Sequence, residues 1–334
     1  MAVALVGPTA SGKSELALAA ARVARSGGTP VELVSVDSMA VYRGMDIGTA
    51  KPSAAVRAEI PYHLVDLVDP DEEYTVTRFQ ADARSALEGI AARGSVALLV
   101  GGTGLYLRAV TDDLTFPGRF PEVARVLTAE LDELGPPGSA ARADGCGGLH
   151  ARLTTVDPQA AARIEPGNER RLVRALEVTL GSGRPFSSFG PGLERYPTAR
   201  ADLLGIQLEA DESDRRIGER FARLLDDGFL EEVRALADRP AGLSRTARQA
   251  LGYRELLRHV EEGVPLTEAV DEAVRRTRAF ARRQRAWFRR DPRIVWVDPD
   301  ADPVAAVVAA VRRDAARVGA DGDGSARVAG GADG

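Results

Sequence analysis

The residues of this chain with the clearest chemical potential are 7–14, which read Gly-Pro-Thr-Ala-Ser-Gly-Lys-Ser. The spacing G-x-x-x-x-G-K-S is that of a loop whose backbone N–H groups surround a phosphate. Lys13 would add a positive charge, and the Ser14 hydroxyl suits Mg²⁺. An apolar run precedes the loop and an amphipathic run follows it, as expected for a strand and a helix. We therefore expect a di- or triphosphate to bind to Gly7, Pro8, Thr9, Ala10, Ser11, Gly12, Lys13 and Ser14, with Mg²⁺ at Ser14.

A second polar segment, residues 37–52, begins with Asp37-Ser38 and ends with Lys51-Pro52. A single aspartate after a strand is most often a helix cap or a turn former. Here Asp37 opens a long polar loop that would face the phosphate loop, where a carboxylate can act as a general base. Asp46, in the same segment, is expected to be structural.

The most apolar run, 95–100, ends in Gly101-Gly102-Thr103-Gly104. A nucleotide hydrolase usually has an aspartate at the end of such a strand to hold Mg²⁺. Glycines and a threonine instead offer backbone N–H groups and a hydroxyl. This end suits a bound diphosphate better than the activation of a water molecule.

Positive charge is concentrated near the C-terminal end, although the whole chain has a net charge of −5. Residues 275–293 contain nine arginines and one acid, with Phe280, Trp287 and Phe288 among them. An amphipathic helix with a solvated basic side explains this pattern, and so does a surface for nucleic-acid phosphates. We expect both, with aromatic side chains inward and several arginines on phosphate.

The alternation of predicted strands and helices indicates an α/β fold with a parallel sheet covered on both faces, of the P-loop NTPase-like type. Ligands gather at the carboxyl ends of such strands, which would bring the three segments above to one site. The catalytic core is predicted over 1–113 and 199–317, with a helical insertion over 114–198. That insertion would contain helices at 121–134 and 158–180 and a loop at 135–148. The tail, 318–334, is predicted to be disordered.

Composition restricts the class of protein further. Cys146 is the single cysteine, so an internal disulfide is excluded, and the three histidines are too scattered for a metal cluster. No apolar run approaches the roughly 20 residues that a membrane span needs. We expect a cytoplasmic monomer that uses no membrane.

Taken together, these motifs resemble the tRNA dimethylallyltransferase family. The resemblance runs in order from about residue 3 to residue 298. It rests on residues 7–14, 37–52, 100–106 (Val-Gly-Gly-Thr-Gly-Leu-Tyr), 170–178 (Arg-Arg-Leu-Val-Arg-Ala-Leu-Glu-Val), 252–255 (Gly-Tyr-Arg-Glu) and 277–289.

This resemblance implies transfer of a dimethylallyl group from dimethylallyl diphosphate to N6 of adenosine 37, beside the anticodon of tRNA. Asp37 matches the general base, Thr103 and Arg220 match residues that clamp the diphosphate, and Mg²⁺ is the expected cofactor. The insertion and the arginine-rich helix would hold the anticodon stem-loop. Contacts with tRNA are expected from Asp37, Ser38, Met39, Ala40, Thr103, Arg125, Arg170, Arg171, Arg174, Gly252, Tyr253, Arg282, Arg283 and Gln284.

Several positions depart from the family pattern, and three other functions stay open. Ala40 stands where glutamine is common, Arg125 is one place from the expected position, and Arg282 replaces a lysine. A small-molecule kinase would use the same phosphate loop but turn over ATP. A non-catalytic RNA-binding protein would have no reason to keep Lys13, Ser14 and Asp37 together. An isopentenyltransferase acting on free nucleotide would not need the insertion or the arginine-rich helix.

Overall fold

A computed structural model describes residues 2–190, 192–298 and 302–326 of the chain. Its centre is one six-stranded parallel sheet with the order β3-β2-β4-β1-β5-β6, which confirms the predicted P-loop-like α/β fold. The strands are β1 (Ala2–Val6), β2 (Val31–Val36), β3 (Tyr62–His63), β4 (Val96–Gly101), β5 (Ala201–Gly205) and β6 (Val295–Trp296).

The central strands β1 and β4 are apolar throughout because helices cover both faces of the sheet. In β1, Ala4 and Val6 face one core while Val3 and Leu5 face the other. Helices on the Val3 side are α1 (Lys13–Ser26) and α14 (Pro303–Ala326). The helices packed on the other side include α3 (Val76–Ala92), α4 (Gly104–Thr111), α9 (Ala210–Asp226), α10 (Phe229–Ala237), α12 (Tyr253–Glu262) and α13 (Leu266–Arg289). Two short helices complete this part, α2 (Ala54–Glu59) and α11 (Arg245–Arg248).

The register of the sheet aligns the carboxyl ends of its central strands. Val6 of β1 is paired with both Gly101 of β4 and Gly205 of β5, and Gly101 is also paired with Val36 of β2. The segments that follow β1, β2 and β4 therefore leave the sheet side by side. These are the three segments in which the sequence places the chemistry.

The chain divides into two compact units. One consists of Met1–Asp113 and Pro197–Gly334, and the other of Leu114–Tyr196, where the sequence predicts an insertion over 114–198. The second unit is helical, with α5 (Pro121–Asp132), α6 (Ala140–Val156), α7 (Pro158–Ala161), α8 (Glu169–Ser182) and a 3₁₀ turn at Phe186–Phe189. Its core includes Leu127, Leu131, Leu149, Leu153, Leu172 and Leu176.

Three local expectations are corrected. The predicted loop at 135–148 is largely helix α6, and the predicted helix at 158–180 is interrupted between α7 and α8. In the predicted disordered tail, 318–326 continue helix α14, since extending a packed helix costs less than starting one. Residues 327–334 lie outside the described residues. None of the helices in the described part of the chain has the length and apolar character needed to cross a membrane.

Candidate active site

The phosphate loop has the backbone shape that its sequence predicts. Ala10 and Gly12 both have left-handed backbone angles, with φ of 61° and 81°. Such residues between right-handed ones turn successive N–H groups toward a common point and form an anion-binding nest. Helix α1 begins directly after Gly12, so its positive N-terminal end adds to the attraction for an anion.

Side chains in this loop fit a diphosphate and a magnesium ion. The Ser11 hydroxyl is buried and has no hydrogen-bond partner among the described residues, so a bound anion would satisfy it. Ser14 is exposed at the first turn of α1, where a hydroxyl could ligate Mg²⁺. No group of three or more acidic, histidine or cysteine side chains that could hold a metal is found in the described part of the chain. A magnesium ion would therefore depend on Ser14 and on the diphosphate itself.

Lys13, Asp37 and Arg220 form one electrostatic cluster next to the loop. Burial and, to a smaller extent, the charge of Arg220 together lower the pKa of Lys13 to about 8, against the opposing attraction of Asp37. Burial also lowers the pKa of Arg220, again against the attraction of Asp37. The Lys13 ammonium donates to the Pro8 carbonyl at 3.1 Å. Two desolvated cations beside one carboxylate make a site suited to a polyanion.

Asp37 is half-buried directly after β2, and its Oδ1 accepts the N–H of Met39 at 2.8 Å. This short-range bond fixes the side chain at the start of the loop. Ser38 and Met39 are also half-buried, whereas Ala40 is buried and its carbonyl accepts the N–H of Asp66 at 3.1 Å. The Ala40 side chain therefore packs inside this unit, and the expected contact of this residue with tRNA stays a prediction.

Two anchors hold the remainder of this loop. Glu232, on α10, accepts the N–H groups of Asp46 and Ile47 at 2.8 and 2.7 Å. The Lys51 ammonium donates to Asp46 at 2.7 Å and to Asp66 at 2.6 Å, which confirms a structural role for Asp46. The sequence did not single out Glu232, since nothing local distinguishes it from other acids in the first turn of a helix.

Thr103, in the third segment, directly precedes the first residue of α4, and it is half-buried. Helix α13 lies against the glycines on either side of it. A Cβ atom on Gly102 would collide with Gln284, and one on Gly104 would collide with Trp287. The glycines thus admit α13 to this edge of the sheet, which gives the Gly-Gly-Thr-Gly sequence a steric reason.

Three residues predicted to touch tRNA are buried inside the unit. Tyr253 is 1% exposed and donates its hydroxyl to Glu232 at 2.6 Å, and Gly252, also buried, caps α12 with a φ of 84°. Gln284 is 7% exposed, and both ends of its amide bond to backbone groups. Each of these side chains or backbone groups is already used within the fold, and the direct contact of the three residues with tRNA stays a prediction.

The predicted arginines divide into exposed and occupied ones. Arg282 and Arg283 are exposed on α13, where Arg282 lies 3.7 Å from the Asp214 carboxylate, and Arg170 and Arg171 are exposed on α8. Arg125 is exposed on α5 and bonds only to the neighbouring Glu122 among the contacts described. Arg174 differs, since its guanidinium bonds to the Pro117 carbonyl at 2.9 Å and to Glu177 at 2.8 Å. The exposed arginines are available for phosphate groups, while Arg174 mainly stabilises the second unit.

Comparison with known proteins gives one consistent family. The model of the IPP transferase family matches residues 40–291. The tRNA dimethylallyltransferase of Salinispora tropica is 46% identical over 94% of this chain and 93% of its own length. That of Kineococcus radiotolerans is 48% identical over 90% of this chain and 92% of its own length.

Solved structures agree with the sequence comparison. The full-length tRNA isopentenylpyrophosphate transferase of Bacillus halodurans has a TM-score of 0.64 at 33% identity, covering 95% of this chain and 97% of its own. A eukaryotic dimethylallyltransferase acting on tRNA has a TM-score of 0.67 at 25% identity, covering 88% of this chain and 73% of its own.

Proposed function

The chain belongs to the tRNA dimethylallyltransferase family, and from this premise we propose that it transfers the dimethylallyl group of dimethylallyl diphosphate to N6 of adenosine 37 in tRNA. The observation that carries the proposal is the cluster of Lys13, Asp37 and Arg220 beside the phosphate loop. It combines a polyanion site with a carboxylate, as this reaction requires. We also expect the enzyme to be a cytoplasmic monomer. Light scattering in solution measures the molar mass and so tests whether the protein is monomeric.

In the proposed reaction, the adenine N6 attacks C1 of the dimethylallyl group. The N6–C1 bond forms, the C1–O bond to the diphosphate breaks, and the Asp37 carboxylate accepts the proton that leaves N6. An exocyclic adenine amine is a weak nucleophile, so a base placed at this atom helps by about 10²–10⁴-fold. The adenine must leave its stack to reach Asp37, and unpaired loop nucleotides do so at the lowest cost.

The leaving diphosphate gains negative charge as the C1–O bond breaks. Lys13, Arg220 and the loop N–H groups would stabilise that charge most strongly in the transition state. Thr103, at the neighbouring strand end, would contact the same group. Mg²⁺ held by Ser14 and the diphosphate would supply further charge neutralisation when bound. No ATP is consumed in this scheme.

The test uses labelled dimethylallyl diphosphate, Mg²⁺ and an anticodon stem-loop that carries three adenosines on the 3′ side of its loop. We expect label in adenosine 37 with the native enzyme and a loss of at least 10²-fold with Asp37→Asn, while the affinity for the stem-loop changes less than twofold. Asp46→Asn, in the same loop but outside the cluster, is the matched control and should retain transfer.

Other outcomes identify the alternatives. Hydrolysis of ATP without labelled adenosine would contradict the proposal and indicate a kinase. Label in free adenosine monophosphate but not in the stem-loop would indicate a transferase for free nucleotides. Stem-loop binding with no transfer at all would indicate an RNA-binding protein.

A further inference from the structure

Gln284 connects two loops of the candidate active site through one buried amide. Its Oε1 accepts the N–H of Thr9 in the phosphate loop at 2.8 Å. Its Nε2 donates to the carbonyl of Gly102, after β4, at 2.9 Å. The two loops follow neighbouring strands, so this side chain spans the gap between the backbone that would surround the diphosphate and the backbone that places Thr103.

The Gln284 amide makes both bonds at once because one end accepts and the other donates. A carboxylate accepts from Thr9 but has no proton for the Gly102 carbonyl, and an ammonium donates but cannot accept. The partners are a backbone N–H and a backbone C=O, so they also fix which end of the amide points to which loop. Because Gln284 is buried, water is poorly placed to replace either bond.

The packing around Gln284 supports a positioning role. Gly102 leaves room for the Gln284 amide, and Gly104 leaves room for Trp287, one turn further along the same face of α13. Thr103 lies between these two contacts. Gln284 and Trp287 of helix α13 therefore determine where residues 101–104, the Thr103 loop, lie. Of these two residues, only Gln284 also bonds to the phosphate loop.

We propose that Gln284 is a positioning residue that holds the phosphate loop and the Thr103 loop at the separation required to bind a diphosphate. This role deepens the proposed transferase function and rests on it for the identity of the full substrate. It also replaces the direct tRNA contact that the sequence indicated for this residue. Small displacements of binding groups, of about 1 Å, can cost about 10²-fold in rate.

The test compares Gln284→Glu with Arg282→Ala, two changes that lie two residues apart on α13. Binding of inorganic diphosphate with Mg²⁺ is measured by calorimetry, and binding of the anticodon stem-loop by fluorescence anisotropy. We expect Gln284→Glu to weaken diphosphate binding at least tenfold and to change stem-loop affinity less than twofold. Arg282→Ala, on the exposed side, should give the opposite pattern. In turnover, Gln284→Glu should raise KM for dimethylallyl diphosphate and lower kcat, with KM for RNA unchanged.

A second set of variants keeps the test decisive if Gln284→Glu folds poorly. Gly102→Ala should weaken diphosphate binding because its Cβ collides with Gln284, and Gln284→Ala should do so because both bonds are lost. In the double variant the collision is gone, so its loss should be clearly smaller than the product of the two single losses. Multiplicative losses would overturn the proposal.

The results also separate this proposal from the transferase assignment. If Gln284→Glu weakens stem-loop binding and leaves diphosphate binding intact, Gln284 contacts RNA and the positioning role is wrong. If both affinities stay at the native values, the positioning role is also wrong. If native protein binds diphosphate at least tenfold more tightly than Gln284→Glu but transfers no dimethylallyl group, the positioning role stands and the transferase assignment fails.

Discussion

The Tyr253 hydroxyl donates a hydrogen bond of 2.6 Å to Glu232 Oε1, and the other oxygen of that carboxylate accepts the N–H groups of Asp46 and Ile47. Tyr253 thus supports, from inside the fold, the loop that begins with Asp37. Its ring also packs edge-on against Phe229, with ring centres 4.8 Å apart. The residue stabilises the site without facing it.

We therefore expect Tyr253→Phe to affect stability and not RNA binding. The change keeps the ring packing but removes a hydrogen bond to a charged acceptor, which contributes about 1.5–3 kcal/mol. The free energy of unfolding, measured in urea, should fall by about that amount, while stem-loop affinity changes less than twofold. Tyr62→Phe is a matched control, since the half-buried Tyr62 hydroxyl has no hydrogen bond among the described residues. A loss of RNA affinity at unchanged stability would contradict this assignment.

The two lysines of the chain should give opposite results when each is replaced by methionine. Lys51 has a side chain that is 2% exposed and neutralises Asp46 and Asp66, so its loss leaves acids without their cation. Both acids are partly exposed, and Asp66 retains its ion pair with Arg57. We therefore expect Lys51→Met to lower the free energy of unfolding by about 2–3 kcal/mol, which is less than the usual cost of breaking a fully buried ion pair. Lys13→Met should leave the free energy of unfolding unchanged or raise it, because Lys13 is desolvated beside the positive charge of Arg220. Urea titrations of both variants check this, and equal losses would contradict it.

Lys13 should also make diphosphate binding depend on pH. Its pKa is about 8 in the folded protein, against an ordinary value of 10.5 for a solvated lysine, so the unfolded chain holds more protons between these values. Stability from this group therefore rises with pH over that range. Affinity for the anion moves the other way, since Lys13 loses its charge above pH 8.

The measurement is the affinity for dimethylallyl diphosphate from pH 7 to pH 9.5, with Asp37 and Arg220 intact. In native protein the affinity should fall above pH 8 by up to about tenfold per pH unit. Lys13→Met removes this fall and leaves only the pH dependence of the ligand itself. Lys13→Arg keeps its charge throughout and should also lack the fall. A native profile that coincides with that of Lys13→Met would contradict the role of Lys13.

Sequence reasoning succeeded where the signal is local. The phosphate loop, the apolar strands and the order of strand and helix depend on residues next to one another, and the parallel sheet then brings residues 7–14, Asp37 and Thr103 together. The role of Tyr253 was missed because it depends on Glu232, which is distant in sequence and lies on another helix. The role of Gln284 likewise depends on two loops that are distant from it in sequence.

Helix α6 shows how packing can overrule composition. Glycines at 145, 147 and 148 predict a loop, because glycine is the poorest helix former after proline. A Cβ on Gly145, however, would collide with Leu134, so this glycine allows a close approach. Leu149 and Leu153, on the same helix, are buried in the core of the second unit. Their burial outweighs a cost of about 1 kcal/mol for each glycine.

The exposed arginines should determine how strongly tRNA binding depends on salt. Each arginine that neutralises a phosphate releases counterions, so its removal lowers the slope of log K against log salt concentration by about 0.7–0.9. We expect the double variants Arg282→Ala/Arg283→Ala and Arg170→Ala/Arg171→Ala each to lower the slope by about 1–2. Fluorescence anisotropy with a labelled stem-loop, between about 50 and 300 mM KCl, measures this slope.

Arg22→Ala provides the control for these variants. Arg22 is exposed on α1 but pairs with Glu59 at 2.6 Å, and it lies nine residues beyond Lys13, or about 13 Å along the helix. Its removal should leave the slope unchanged, because an arginine that lies away from the site contacts no RNA phosphate and so displaces no counterions from the RNA. If the double variants weaken binding equally at all salt concentrations, these arginines act through packing or folding and not on phosphate. A lower slope for one pair alone would assign the phosphate contacts to that helix.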